Sequence, residues 1–127
     1  MPNTTAYEFG DVLLMEIDHT DQLQVQKRPA VVISTPAYNR SRSDIVVMPI
    51  TGVFHADAVR IIEWRAAGLL KESFVKPVIG TYEQGRIIRK LGRLDRNAQA
   101  AVKKAIAEML GFKQVVSSSS PSPARPS

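Results

Sequence analysis

The chain has 127 residues, of which 44% are hydrophobic and 23% charged, the proportions of an ordinary soluble globular protein with one core. Cysteine is absent and histidine occurs twice, which excludes disulfides, thiol nucleophiles and thiolate metal sites and argues against a metal site of histidines, so we expect neither a metal nor a cofactor. Seventeen Lys and Arg against twelve Asp and Glu give a formal charge of +5, which favours a polyanion or an acidic protein segment as partner.

Six short apolar segments, most of them rich in β-branched residues, predict β-strands. Pro29 can open the second strand, because the first residue of a strand needs no N–H donor, and Pro77 breaks the fifth. Between the second and third strands, PAYNRSRS predicts a loop or a single helical turn. The six predicted strands are Asp11–Ile17, Ala30–Ser34, Ile45–Ile50, Val59–Trp64, Phe74–Tyr82 and Arg86–Leu91.

A helix is predicted in LDRNAQAAVKKAIAEMLGF. Asp95 can cap its first turn, and Gly111 stands where a left-handed C-terminal cap belongs. Apolar residues recur between these caps at helical spacing. The predicted fold is therefore mainly β with α: a small barrel of strongly bent antiparallel strands plus a C-terminal helix, spanning residues 1–112. Residues 113–127 are rich in Ser and Pro and predict a disordered tail.

No membrane association is predicted. The first ten residues, MPNTTAYEFG, lack the basic-then-apolar pattern of a signal peptide, and no apolar run approaches the length of a membrane span. We therefore expect a cytoplasmic protein.

Several motifs occur together and in order: GDVLLMEI, KRPAVVIS, the pair YN, VVMPIT, IIEWRAAGLLKESFVKPVIGT and the final helix. Together they resemble the MazF/PemK toxins of bacterial toxin–antitoxin systems, roughly from Glu8 to Phe112. The resemblance implies an SH3-like barrel, a homodimer and a metal-independent endoribonuclease. Such an enzyme cleaves single-stranded RNA (mRNA, possibly tRNA or rRNA) by transesterification, and an antitoxin with an acidic C-terminal segment neutralises it.

Two residues match the motif positions that imply catalysis. Arg28 stands at the mouth of the second strand, where a guanidinium held still can grip two phosphate oxygens and stabilise the charge of the transition state. Thr51 ends VVMPIT, where its hydroxyl can donate to a phosphate oxygen or orient the attacking 2′-hydroxyl. Without the resemblance, a surface ion pair for Arg28 and an ordinary strand-end threonine would be the simpler interpretations.

Further residues are expected to contact RNA through charge or through the YN motif. Phe54 and Trp64 could stack on bases, although a lone Trp in a small barrel is more often part of the core or of an interface. Lys76 and Pro77 stand about where relatives of the enterobacterial type have Asp-Gln, so the role of that pair cannot be transferred. The expected RNA contacts are Lys27, Tyr38, Asn39, Arg40, Arg42 and Lys76.

The general base is left open. Free arginine titrates far above neutrality, and the acidic residue that several relatives place shortly before the arginine has no match in residues 23–27. His19 and His55 could titrate in the useful range, although each is more simply a surface histidine.

Two alternative functions share the predicted barrel. One is a catalytically silent RNA-binding module, and the other is a gyrase-directed toxin of the CcdB type. The pair Arg28 and Thr51 favours the nuclease, because a toxin that poisons a protein needs neither residue.

Overall fold

The computed structural model of the protein describes residues 6–18 and 25–113. The predicted tail, apart from Lys113, and His19 lie outside the described residues. Residues Gln84–Arg86 form a 3-10 turn. The elements in chain order are β1 (Asp11–Asp18), β2 (Val25–Val32), α1 (Pro36–Ser41), β3 (Asp44–Thr51), β4 (Val59–Ile61), β5 (Ser73–Val75), β6 (Gly80–Glu83), β7 (Ile87–Arg93) and α2 (Arg96–Leu110).

Five of these strands form one curled antiparallel sheet in the order β6–β3–β2–β1–β7. The 3-10 turn connects the two outermost strands, so the sheet bends back on itself as a half-barrel. The short strand β5 pairs with Ile50 and Thr51 at the end of β3, and β4 pairs with β5. The prediction of a mainly β fold with bent antiparallel strands and a C-terminal helix is confirmed. No helix in the described part of the chain is long and apolar enough to span a membrane.

Both faces of this sheet are covered around the middle of β1, which explains the continuous apolar run of residues 12–15 there. Val12 and Val31 point to an outer core that α2 covers with Ala98 and Val102. Their neighbours along the strands point into the barrel, where they form an inner core. The inner core consists of Leu13, Met15, Ile17, Ala30, Val32, Ile45 and Val47.

The helix α2 has the predicted caps. The Asp95 side chain accepts a hydrogen bond from the backbone N–H of Ala98 at 2.8 Å, and Gly111 adopts the left-handed conformation with φ of 80°. Only the N-terminal half of its apolar stripe is fully buried, since Met109 near its end is 37% exposed.

Three of the predicted strands differ from the structure by more than two residues. β2 begins at Val25 and not at Ala30, because the ladder to β1 runs through Pro29, which lies opposite Leu14. The fourth strand ends at Ile61, and residues 62–68 form turns that hold Trp64 against the outer core. The predicted strand Phe74–Tyr82 is divided into β5 and β6.

The division of the fifth strand leaves a bulge at residues 76–79. β5 and β6 both pair with β3. Ile50 of β3 pairs with Val75 and Val47 pairs with Gly80, so the partner chain is longer than β3 between these two pairs. Two residues of β3, Met48 and Pro49, therefore face four on its partner, residues 76–79. Pro77, which has no N–H to donate, lies within this bulge, as expected for proline in a sheet.

A close approach of two backbones fixes the turn segment 62–70 against β7. A Cβ atom on Gly68 would lie 2.0 Å from the carbonyl oxygen of Leu91, and one on Gly92 would lie 2.4 Å from that of Ala67. Gly68 also has a positive φ of 87°. Only glycine satisfies both conditions at position 68, and the contact places residues 69–71 beside the strand that carries Arg89.

Candidate active site

The candidate site lies where β2 and β3 separate. The two strands pair from Val32–Val47 to Ala30–Pro49. Extending this register by two residues places Arg28 opposite Thr51, and residues that face each other across antiparallel strands share a face of the sheet. Two clefts meet at this point, and Arg28, Ile50 and Thr51 line both of them. The structure thus brings together the two residues that the sequence motifs imply to be catalytic.

The first cleft has a volume of about 440 Å³ and contains Lys76, one of the expected RNA contacts, and the candidate proton carrier His55. Lys76 begins the bulge after β5, and its backbone N–H donates to the carbonyl oxygen of Pro49 at 2.9 Å. The carboxylate of Asp18 in this cleft pairs with Arg86 at 3.1 Å. The residues that line the first cleft are Ile17, Asp18, Arg28, Pro49, Ile50, Thr51, Val53, His55, Lys76, Val78 and Tyr82.

The second cleft has a volume of about 560 Å³ and is strongly cationic. Lys27, Arg28, Lys71 and Arg89 line it, and no Asp or Glu is among its lining residues. In the described ranges, none of these four cations takes part in a salt bridge. The Lys71 side chain lies over Gly52, where a Cβ atom would be 2.6 Å from the Lys71 Cε. The second cleft therefore presents uncompensated positive charge beside Arg28 and Thr51.

Arg28 is held more firmly than the sequence suggests. It is the fourth residue of β2, opposite Met15 of β1, and not the residue before the strand. Its Nε and Nη2 atoms both donate to the Oε1 of Gln26, at 2.9 and 2.5 Å. A paired strand fixes the backbone of this arginine, and a neighbouring side chain fixes its guanidinium.

Thr51 is the last residue of β3, and a backbone N–H two residues later orients its hydroxyl. Its Oγ1 accepts a hydrogen bond from the backbone N–H of Val53 at 3.1 Å. Because that bond uses the oxygen as an acceptor, the hydroxyl hydrogen is directed elsewhere and can be donated to a ligand.

The predicted residues of the YNRSR segment lie at the other end of β3. α1 connects β2 to β3, and seven residue steps separate Asp44 from Thr51, about 23 Å along a straight strand. Arg42 pairs with Asp44 at 2.9 Å and lies over the Tyr38 ring at 4.9 Å; the hydrogen bond from Arg42 lowers the pKa of the Asp44 carboxyl. Arg40 is exposed on the same helix. The structure therefore does not bring these cations to the clefts.

Asn39 has a structural role in the fold. Its side chain is buried, and Nδ2 donates to the carbonyl oxygens of Tyr7 and Ser34, at 2.8 and 3.2 Å. The Ser34 hydroxyl donates to its Oδ1 at 2.5 Å. Both amide hydrogens are used inside the protein, so the expected contact of this side chain with RNA has no support in the structure.

We expect Asn39→Ala to lower the free energy of unfolding by about 2–4 kcal/mol, because it leaves buried carbonyl oxygens without their donor. Urea denaturation measures the change, with Arg40→Ala on the same helix as the exposed control. A variant of normal stability that binds RNA poorly would instead assign Asn39 to the RNA-binding surface.

The residues predicted from the sequence did not include Gln26, Lys71 or Arg89. Lys71 and Arg89 are far apart in the sequence and meet only through the approach of residues 67–68 to β7, so no local pattern could indicate them. Gln26 could have been selected, since residues two apart on a strand share a face. Within residues 6–18 and 25–113, no three His, Cys, Asp or Glu side chains are grouped so that they could hold a metal ion.

Comparison with known proteins gives a family and a fold. A family model described as PemK-like, MazF-like toxin of type II toxin-antitoxin system matches residues 8–110. A search of curated proteins finds no match.

Three solved structures illustrate the likeness of fold. An endoribonuclease from Mycobacterial species, in complex with its cognate antitoxin, superposes with a TM-score of 0.70 at 19% identity, over 87% of this chain and 98% of its own. The toxin MazF-mt6 of Mycobacterium tuberculosis gives 0.70 at 18% identity, over 82% and 99%. MazF from Deinococcus radiodurans gives 0.68 at 19% identity, over 84% and 98%.

Proposed function

The chain belongs to the PemK-like, MazF-like toxin family of type II toxin–antitoxin systems, and from this membership and the geometry around Arg28 we propose that it is an endoribonuclease acting on single-stranded RNA. One observation carries the proposal: Arg28 and Thr51, far apart in sequence, border the same gap between β2 and β3, where the two clefts meet. Proteins described as endoribonucleases share this fold.

The proposed reaction is transesterification within the RNA chain. The 2′-oxygen of one ribose attacks the neighbouring phosphorus, and the bond from phosphorus to the 5′-oxygen breaks. The 2′-hydroxyl loses its proton to a base, and the 5′-oxygen gains one from an acid. The products are a 2′,3′-cyclic phosphate and a 5′-hydroxyl. We propose that no metal takes part, in keeping with a sequence that has no Cys and two His.

Arg28 and Thr51 supply what the phosphorane needs without a metal. Negative charge accumulates on the non-bridging oxygens in the transition state, and a fixed guanidinium stabilises it with little reorganisation. The free hydroxyl hydrogen of Thr51 can donate to one of these oxygens from the facing strand. His55 lines the first cleft with them and is available as a proton carrier.

The cations of the second cleft would hold the phosphates that flank the scissile bond. Each nucleotide of a single strand carries one negative charge, and Lys27, Lys71 and Arg89 continue the positive surface away from Arg28. Lys76 extends it on the side of the first cleft. Arg40 and Arg42, at the far end of β3, could contact only a longer RNA.

Lys71→Ala with Arg89→Ala is expected to weaken RNA binding and to reduce the slope of log K against log salt by about 1.4, because each lost phosphate contact contributes about 0.7. Filter binding of an RNA that cannot be cleaved, at several salt concentrations, measures the slope. Arg96→Ala with Lys104→Ala removes the same two charges from exposed positions of α2 and is the matched control. An equal change of slope in both pairs would assign the effect to net charge and not to the cleft.

We also propose an acidic antitoxin segment and a second copy of this chain as partners. An acidic peptide is attracted by the same cationic cleft as RNA, so the two should compete. Solved structures with this fold include MazE-MazF from Deinococcus radiodurans. A titration of the antitoxin peptide into protein bound to uncleavable RNA tests the shared site; RNA that remains bound as the peptide binds would exclude it.

The proposed function is tested by incubating the purified protein with total RNA in excess EDTA and mapping the new 5′-hydroxyl ends. We expect cleavage at defined sites that persists in the chelator. RNA binding without cleavage would indicate the silent module, and inhibition of gyrase without RNA binding would indicate the gyrase-directed toxin. Cleavage lost in EDTA and restored by a divalent ion would exclude the metal-free reaction.

A further inference from the structure

We propose that Gln26 is the positioning residue of Arg28: its side-chain oxygen holds one edge of the guanidinium so that the opposite edge faces the scissile phosphate. The proposal rests on the proposed ribonuclease function and adds to it a residue that no motif selects. Gln26 acts through Arg28, since it is not among the residues that line either cleft in the described part of the chain.

The geometry comes from the alternation of β2. Gln26 and Arg28 are two residues apart and project from the same face of the strand. The Oε1 of Gln26 accepts from the Nε of Arg28 at 2.9 Å and from its Nη2 at 2.5 Å. Gln26 lies opposite Ile17 of β1, which itself lines the first cleft with Arg28.

These two bonds leave a defined set of donors for the substrate. A guanidinium has five N–H groups in a fixed fork, and Gln26 occupies the Nε–H and one N–H of Nη2. Of the remaining three, one on Nη1 and one on Nη2 lie along the edge between these two nitrogens. That edge matches two oxygens of a phosphate, so a bidentate grip stays available.

A neutral acceptor also preserves the charge of the site. A carboxylate in the same position would form an ion pair with Arg28 and compete with the phosphate for it. In residues 6–18 and 25–113, Arg28 takes part in no salt bridge. Gln26 therefore orders a long side chain before the RNA arrives and leaves its positive charge uncompensated.

The test is a double-mutant cycle with steady-state kinetics on a defined RNA. Gln26→Leu removes the acceptor while keeping most of the volume, and we expect kcat to fall by a factor of about ten to a hundred with little change in KM. In an Arg28→Lys background the same replacement should change kcat by less than about twofold, because the guanidinium that Gln26 positions is absent. Gln26→Glu should instead raise KM, since its charge competes with the phosphate for Arg28.

Two outcomes overturn the proposal: wild-type kcat in Gln26→Leu, or equal losses in both backgrounds. A wild-type protein that does not cleave RNA would refute the proposed function itself, which separates the two failures. If Gln26→Leu does not fold, the rate of hydrogen exchange of the Arg28 Nε–H in the wild-type protein tests whether Gln26 holds the guanidinium. Exchange slower than that of the exposed Arg40 supports the proposal, and equal exchange contradicts it.

Discussion

Arg28→Ala is expected to lower the rate of RNA cleavage by a factor of about a hundred or more, the usual cost of removing electrostatic stabilisation from a transition state. The structure gives the reason: Arg28 lines both clefts together with Thr51, and within the described residues one edge of its guanidinium makes no hydrogen bond. Single-turnover cleavage of a defined RNA at saturating enzyme measures the rate of the chemical step.

The loss should not come from unfolding. Arg28 is only half-buried and forms no salt bridge in the described part of the chain, so we expect its replacement to leave thermal unfolding nearly unchanged. Arg40→Ala removes the same side chain from α1, away from both clefts, and should cleave RNA at the wild-type rate. Near-normal turnover in a folded Arg28→Ala protein would refute the catalytic role of this arginine.

Thr51→Val should reduce the cleavage rate by a factor of about a hundred, comparable with the loss of one hydrogen-bond donor to an oxyanion. Valine has the shape of threonine without the hydroxyl, so the replacement removes the donor and preserves the packing at the end of β3. The backbone N–H of Val53 loses its acceptor, but this residue is 63% exposed and water can replace the bond.

Thr51→Ser is the matched control, because it restores the hydroxyl and removes only a methyl group. We expect it to retain most of the wild-type rate in the same assay. Equal activity of the Val and Ser variants would show that Thr51 has a structural role at the end of β3 and that its hydroxyl takes no part in the reaction.

Local signals predicted most of the fold. The caps Asp95 and Gly111 set both ends of α2, and short β-branched runs placed the strands to within a few residues. The strand boundaries that were predicted wrongly depend on pairing with strands distant in the sequence. β2 begins at Val25, before the apolar run that follows Pro29, because β1 pairs with it along residues 25–31. The bulge at residues 76–79 arises because β5 and β6 follow one edge of β3 in two registers.

The part of the site that a motif or a strand register indicates could be predicted from the sequence. The motifs singled out Arg28 and Thr51, and the register of β2 against β3, extended by two residues past Ala30 and Pro49, directs them to the same clefts. The rest depends on burial and on distant segments. Asn39 belongs to a motif, but its burial follows from contacts with residues 7 and 34. The second cleft exists only because the turn segment 62–70 folds against β7.

The central claim, that Arg28 and Thr51 catalyse attack by the 2′-hydroxyl on the neighbouring phosphate, is tested most directly with one modified substrate. Once the cleavage position is mapped, an RNA is made with a single 2′-deoxynucleotide on the 5′ side of the scissile phosphate and incubated with the wild-type protein in excess EDTA. We predict that this RNA stays intact while the unmodified RNA is cleaved to a 2′,3′-cyclic phosphate and a 5′-hydroxyl. Cleavage of the modified RNA at the same phosphate would contradict the account, because the attacking group would then have to be something other than the 2′-hydroxyl.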